Sequence, residues 1–192
     1  MSATFRKAAV LAAGLALAVA AIAAAQDQAV PKSLVRFANE TLVGIGADAS
    51  LVSAVEAQNK KDVGLNRIKE LDAAWMAEKG INAFMKGLLD SSCSARLKRL
   101  ITAQTFIQEA FVMDNQGALV GLTNKTSDYW QGDEAKFTES YKGGAGAVHF
   151  GKAEFDKSAN ATLVQISVPV VKAGKAIGAI TFGVSIDAWE KR

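Results

Sequence analysis

The stretch 164–186 constrains the fold more than any other part of the chain, because it alternates twice. Val164, Ile166, Val168 and Val170 fall on one side of an extended segment, and Gln165, Ser167 and Pro169 on the other. After a turn at 172–175, Gly178, Ile180, Phe182, Val184 and Ile186 share one side, and Ala179, Thr181, Gly183 and Ser185 the other. Period two over adjacent runs joined by a tight turn predicts an antiparallel pair. One face is continuously apolar, and the other is small and polar. A solvated outer face normally carries lysine, glutamate or arginine. This one carries none, so its small side chains leave volume above the sheet, lined by hydroxyls and an amide. The expected structure is a cavity covered by another segment; a plain surface is the alternative.

The same alternation extends upstream. Strands are predicted at 106–113, 118–122 and 148–155, with Asp114-Asn115-Gln116-Gly117 as the first hairpin turn. Between the second and third lies TSDYWQGDEAKF (126–137), which opens a short helix over 133–141. Before residue 105 the period is helical. One stripe holds Leu34, Phe37, Leu42 and Val43; Asp48 or Ser50 caps a second segment. Leu65, Ile68, Leu71, Trp75 and Met76 form a third stripe with Lys69, Glu70 and Asp72 outside it, and Gly80 ends it. Ile81, Phe84, Met85, Leu88 and Leu89 form a fourth, and a serine at 91, 92 or 94 caps the helix carrying Leu97 and Leu100. Helices at 32–104 followed by a strand meander at 105–188 give an α+β domain: a helical N-terminal half, then a five-stranded antiparallel sheet.

Residues 1–25 are set aside from this reading. Arg6 and Lys7 precede an uncharged, alanine-rich run that ends in small residues at 23–25, the layout of a cleaved signal peptide. A retained membrane anchor is the alternative. Cleavage leaves 26–192 as one exported domain. Removing Arg6 and Lys7 takes the basic residues from 22 to 20 against 19 acids, a net charge of +1. Nothing in that balance suggests a nucleic-acid partner, and none is expected. A single cysteine, Cys93, rules out an internal disulfide, and one cysteine with one histidine rules out cysteine-histidine metal sites. No cofactor or metal is expected. No nucleophile-base constellation assembles around His149, so the chain is not read as an enzyme.

The candidate ligand residues are Asp128, Tyr129, Trp130, Asp133, Lys136, His149, Ser167, Thr181, Ser185 and Asp187. Metabolite pockets need apolar walls with a few converging polar groups. Tyr129 and Trp130 supply walls, Lys136 a point charge for a carboxylate, and Asp128, Asp133 or Asp187 a partner for an amine. The bland alternative has the two rings packing the insert down and Asp128 or Asp133 capping the helix.

The segments FVMDNQGALVG (111–121), TSDYWQGDEAKF and VQISVPVVKAGKAIGAITFGVSID (164–187), in this order, resemble a single Cache domain, the PAS-like extracytoplasmic sensor also called PDC. AVEAQNKK (54–61) and IKELDAAWMAE (68–78) resemble the helical region preceding the sheet in soluble exported members. The resemblance covers most of 32–188. It implies an N-terminal helix along one sheet face and a small ligand between the other face and the insert, here TSDYWQGDEAKF. It implies an amino acid, small carboxylate or related metabolite as ligand. Amino-acid-binding members place an arginine near the Tyr-Trp pair, whereas this chain has Lys125 and Lys136 there. Members are mostly outer parts of membrane receptors, kinases or chemoreceptors. With no second apolar stretch of spanning length, this chain is expected to signal through a separate membrane partner. A homodimer through the N-terminal helix is also implied. The alternative function is a structural or interaction subunit of an envelope complex, with a filled, non-binding pocket.

Overall fold

The computed structural model describes residues 30–156 and 161–192. The expected signal peptide lies outside the described residues. The chain enters through helix α1, in which α-helical Lys32–Phe37, a π-helical turn Ala38–Leu42 and α-helical Val43–Ile45 follow without a break in right-handed backbone. Helices α2 (Ala49–Asn59), α3 (Leu65–Ala77), α4 (Ala83–Leu89) and α5 (Ser92–Ile101) complete the helical half. Strands β1 (Ile107–Met113) and β2 (Leu119–Leu122) precede the insert, which contains α6 (Ala135–Tyr141). Strands β3 (His149–Asp156), β4 (Ala161–Lys172) and β5 (Lys175–Ser185) and the final helix α7 (Ile186–Glu190) follow.

The five strands form one antiparallel sheet in the order β2-β1-β5-β4-β3. This is the α+β architecture that the alternation predicts. The β1–β2 turn is built by the buried Asp114, whose Oδ1 accepts the N–H of Gln116 (2.8 Å) and Ala118 (3.0 Å), while Gly117 takes φ +85°. Burial raises the Asp114 carboxyl above its ordinary pKa, and these N–H bonds oppose the shift.

The two sheet faces carry separate cores. Val112, Val164, Ile166, Val168, Ile180, Phe182 and Val184 pack with Leu34, Ala38 and Leu42 of α1 and with Leu51 and Val55 of α2. The α1 stripe thereby spends Leu34 and Leu42 inside this chain, and Phe37 packs edge-on against Phe106 (5.3 Å) and tilted against Trp189 (5.2 Å). The opposite face carries Phe111, Met113 and Ala179, covered by Ile68 and Trp75 of α3, Met85 of α4, and Tyr129 and Phe137 of the insert. Fully burying one such large side chain contributes about 1.5–3 kcal/mol.

Caps resolve as local chemistry dictates. Asp48, not Ser50, caps α2, accepting Ser50 N–H (3.0 Å) and Leu51 N–H (3.3 Å). Its Oδ2 also takes Nε and Nη2 of Arg96 from α5 at 3.0 and 2.6 Å. Ser91 caps α5, and Ser94 Oγ accepts Leu122 N–H at 2.8 Å, tying α5 to β2.

Two expectations need correction, and the edge strand adds an irregularity. The α3 and α4 stripes are narrower than read: Leu65, Met76 and Ile81 are exposed, and Phe84 touches Trp75 and Tyr129 with one side of its ring while the other stays open to solvent. Ile186 is buried but begins α7 instead of ending β5, because Ser185 Oγ caps that helix by accepting Ala188 N–H at 3.2 Å. A bulge between Phe150 and Ala153 breaks the β3 register. Ala153 pairs with Val164 on the apolar face, while His149 pairs with Ser167 on the other.

Candidate functional site

The insert crosses the small-polar face of the sheet and is fastened at its start to α3. Trp75 Nε1 donates to Thr126 O (2.9 Å), and Lys125 Nζ donates to the carbonyls of Glu78 (2.6 Å) and Gly80 (3.0 Å), just past the α3 end. Asp72 Oδ1 accepts the N–H of Tyr129 (2.8 Å) and Trp130 (3.0 Å). Trp130 Nε1 donates to Gln116 O at 2.7 Å, and Lys69 lies 4.8 Å above its ring. The Tyr129 ring is buried against Trp75 (5.9 Å) and Phe84 (5.2 Å), and burial pushes its phenol up to about 12. Both rings therefore pack the insert down.

The insert then passes Gln131, almost fully buried, which donates to Asp128 O at 2.9 Å. Lys136, in the first turn of α6, donates to Gln131 Oε1 (3.1 Å), pairs with Glu134 (2.9 Å) and lies 5.6 Å from the Phe111 ring centroid. Helix α6 covers β4, β5 and β3.

Beneath Lys136 lies a groove with two lobes, each of about 370 Å³. The lobe toward β1 is lined by Phe111, Lys125, Thr126, Ser127 and Gln131. The lobe toward β3 is lined by Glu134, His149, Gly151, Lys152, Glu154 and Leu163. Glu109, Lys136 and Gln165 line both. The floor at the join is a cross-strand row, Glu109–Gly183–Gln165. Gly183 is what lets Glu109 lie there: a Cβ on residue 183 would stand 2.6 Å from Glu109 Cγ and 3.0 Å from Oε1. The lobes have the size of small-metabolite sites. Chemically, the groove offers an ammonium over an aromatic face, carboxylates and an amide, a set suited to holding a charged polar molecule reversibly.

Of the residues proposed from sequence, Lys136 and His149 line this groove. Asp128, Tyr129 and Trp130 sit in the insert, outside both lobes. Asp128 accepts Ser127 Oγ–H at 2.6 Å, and Asp133 is exposed. The residue at the α6 N-cap is Glu134, which makes no side-chain cap bond. Ser167 and Thr181 bond to each other at 2.9 Å and are fully buried under α6, so the cavity lies beside them instead of above them. Ser185 is the buried cap of α7, and Asp187 is exposed on its first turn. Sequence reasoning missed Glu109, Gln165, Lys152 and Glu154 as lining residues. Gln165 had been placed on the correct face, but Glu109 needed the β1–β5 register to reveal it.

Cys93 is buried against Gly121, and burial pushes its thiol up to about 12, which removes it as a nucleophile near neutral pH. Among the described residues no group of three or more His, Cys, Asp or Glu is placed to hold a metal, and no helix is long and apolar enough to cross a membrane.

Solved structures similar to the chain include the sensor domain of the V. cholerae histidine kinase DctB (16% identity, 83% of this chain and 52% of that one, TM-score 0.44). The ligand-binding domain of the Campylobacter jejuni chemoreceptor Tlp3 in complex with 4-methylisoleucine is another (15% identity, 73% of this chain and 56% of that one, TM-score 0.42). An extracellular ligand binding receptor from Desulfohalobium retbaense DSM5692 is a third (15% identity, 73% and 25%, TM-score 0.39). The chain thus spans from a quarter to just over half the length of these three. No family model and no curated protein matches it.

Proposed function

We propose that this chain is a small-molecule-binding sensor domain of the single Cache type. It works in the periplasm after removal of residues 1–25, and passes its signal to a separate membrane receptor or kinase. The observation that carries the reading is the groove under Lys136, which lies between the insert and the sheet. Its ligand is a small carboxylate or amino-acid-like metabolite, its carboxylate met by Lys136 over Phe111 and by the Gln165 amide, and an amine, where present, by Glu109. The alternating-face pattern and the sensor-like segment order support the same reading. The leader sequence supports export.

A second reading is an interaction subunit with a filled pocket. The burial of Ser167 and Thr181 under α6 favours it, because the part of the sheet face expected to be open is closed. Thermal unfolding against a metabolite panel separates the two. A ligand at 100 times its Kd adds about 2.7 kcal/mol, which moves Tm by roughly 5–10 °C in a domain of this size. Lys136→Ala should abolish that shift. No shift with any acid, amine or amino acid at millimolar concentration favours the interaction subunit.

A further inference from the structure

The groove has a length and a polarity, and together they specify the ligand's shape. It runs from β1 across β5 and β4 to β3, since Glu109, Gly183 and Gln165 are successive register partners and Gly151 lies against Gln165. Three inter-strand intervals make about 14 Å. Each lobe alone accommodates a compact metabolite, and they share Glu109, Lys136 and Gln165.

The two ends differ in charge. At the β1 end the lobe holds Lys125 and Lys136 with one carboxylate, Glu109. The Lys125 ammonium is fixed by two neutral carbonyls, so those bonds orient its charge without cancelling it. Thr126 and Ser127 add hydroxyls there. At the β3 end three carboxylates, Glu109, Glu134 and Glu154, face two ammoniums, Lys136 and Lys152. Glu134 is committed to Lys136. Glu154 lies on the edge strand β3, opposite Leu163, and lines only the β3 lobe.

We infer that the groove takes an extended zwitterion, with its carboxylate in the β1 lobe beside Lys125 and its ammonium in the β3 lobe beside Glu154. This rests on the sensor reading above and deepens it. A compact α-amino acid carries both charges on one carbon and engages one end only. A dicarboxylate meets Glu154 with like charge, and a diamine meets Lys125 with like charge.

Isothermal titration of the full chain with charge-matched probes tests the inference. Extended triglycine places its termini about 10 Å apart, and 8-aminooctanoic acid is a peptide-free zwitterion of similar reach. N-acetyltriglycine lacks the ammonium, triglycinamide lacks the carboxylate, and glycine lacks the length. One or both zwitterions should bind at least about tenfold tighter than all three controls. E154Q should weaken the zwitterions about tenfold and leave N-acetyltriglycine unchanged. Glycine, N-acetyltriglycine or triglycinamide binding as tightly as the zwitterions overturns the inference and leaves the sensor reading standing. So does silence from every probe when the wider metabolite panel yields a ligand. Silence in both overturns the two together.

Discussion

Asp72 is the residue whose loss should do most harm for its apparent modesty. It sits half-buried on α3, on the side read from sequence as solvent-facing, and lines neither lobe. Yet one carboxylate oxygen accepts both Tyr129 N–H and Trp130 N–H. Hydrogen bonds to a charged acceptor contribute about 1.5–3 kcal/mol each. Asp72→Ala removes both and leaves two backbone donors at a site that is only half open to water. Allowing for partial rescue by water, the expected cost is about 3 kcal/mol, or a Tm drop of roughly 6–12 °C. Denaturant unfolding gives the free energy, and amide exchange read at Tyr129 and Trp130 gives the location. Those two amides should lose protection well before the β4 and β5 amides do. Asp72→Asn retains an acceptor oxygen and should recover about half the loss. A D72A protein within about 0.5 kcal/mol of the parent, with both amides still protected, refutes the claim that Asp72 fastens the insert.

Other outcomes are equally specific. Gly183→Ala should fold, because the obstructing atoms belong to the flexible Glu109 side chain, but it should displace Glu109 from the groove floor and change ligand affinity about tenfold, read by calorimetry. Arg96→Met should lower stability at neutral pH, because it removes both charge-assisted bonds to Asp48 Oδ2. The Arg96 hydrogen bond is the largest cause holding the Asp48 carboxyl below its ordinary value. A depressed folded pKa contributes stability above the unfolded value and loses it as pH falls through the folded one. The Arg96→Met difference should therefore shrink as a urea titration is repeated from pH 5 downward. A thiol reagent at pH 8 should modify Cys93 only at the rate of unfolding; rapid labelling of the folded protein contradicts its burial.

The fold was legible because backbone periodicity survives any later packing choice. Val164 to Val170 and Ile180 to Val184 fall on one sheet face as their alternation requires. The Asp114 turn was equally plain, since its side chain, and not a distant partner, builds it. The site was less legible. Tyr129 and Trp130 are chemically able to line a pocket, and nothing in their neighbours says that Asp72 and Gln116 take up their polar groups from 57 to 58 and 14 residues away. Glu109 escaped notice because a strand charge reads as surface until its register partner proves to be Gly183. The small-polar face was read correctly as covered, but cover and cavity are different things. Helix α6 closes over Ser167 and Thr181 and leaves space only where Gly183 and Gly151 carry no side chain.

The π-helical turn in α1 has a consequence for how this helix can change. Val43 N–H reaches back five residues to Ala38 O, so the helix holds one residue more than a regular α-helix of the same length. Excision of Thr41, which is exposed, should relax the turn to α geometry and keep Leu34 and Leu42 on the sheet. In a uniform helix the same excision would swing one flank by about 100° about the axis. The surplus residue is slack stored in a rod. Were it to migrate along α1, it would exchange the side chains presented to the sheet while both ends of the helix stayed where they are.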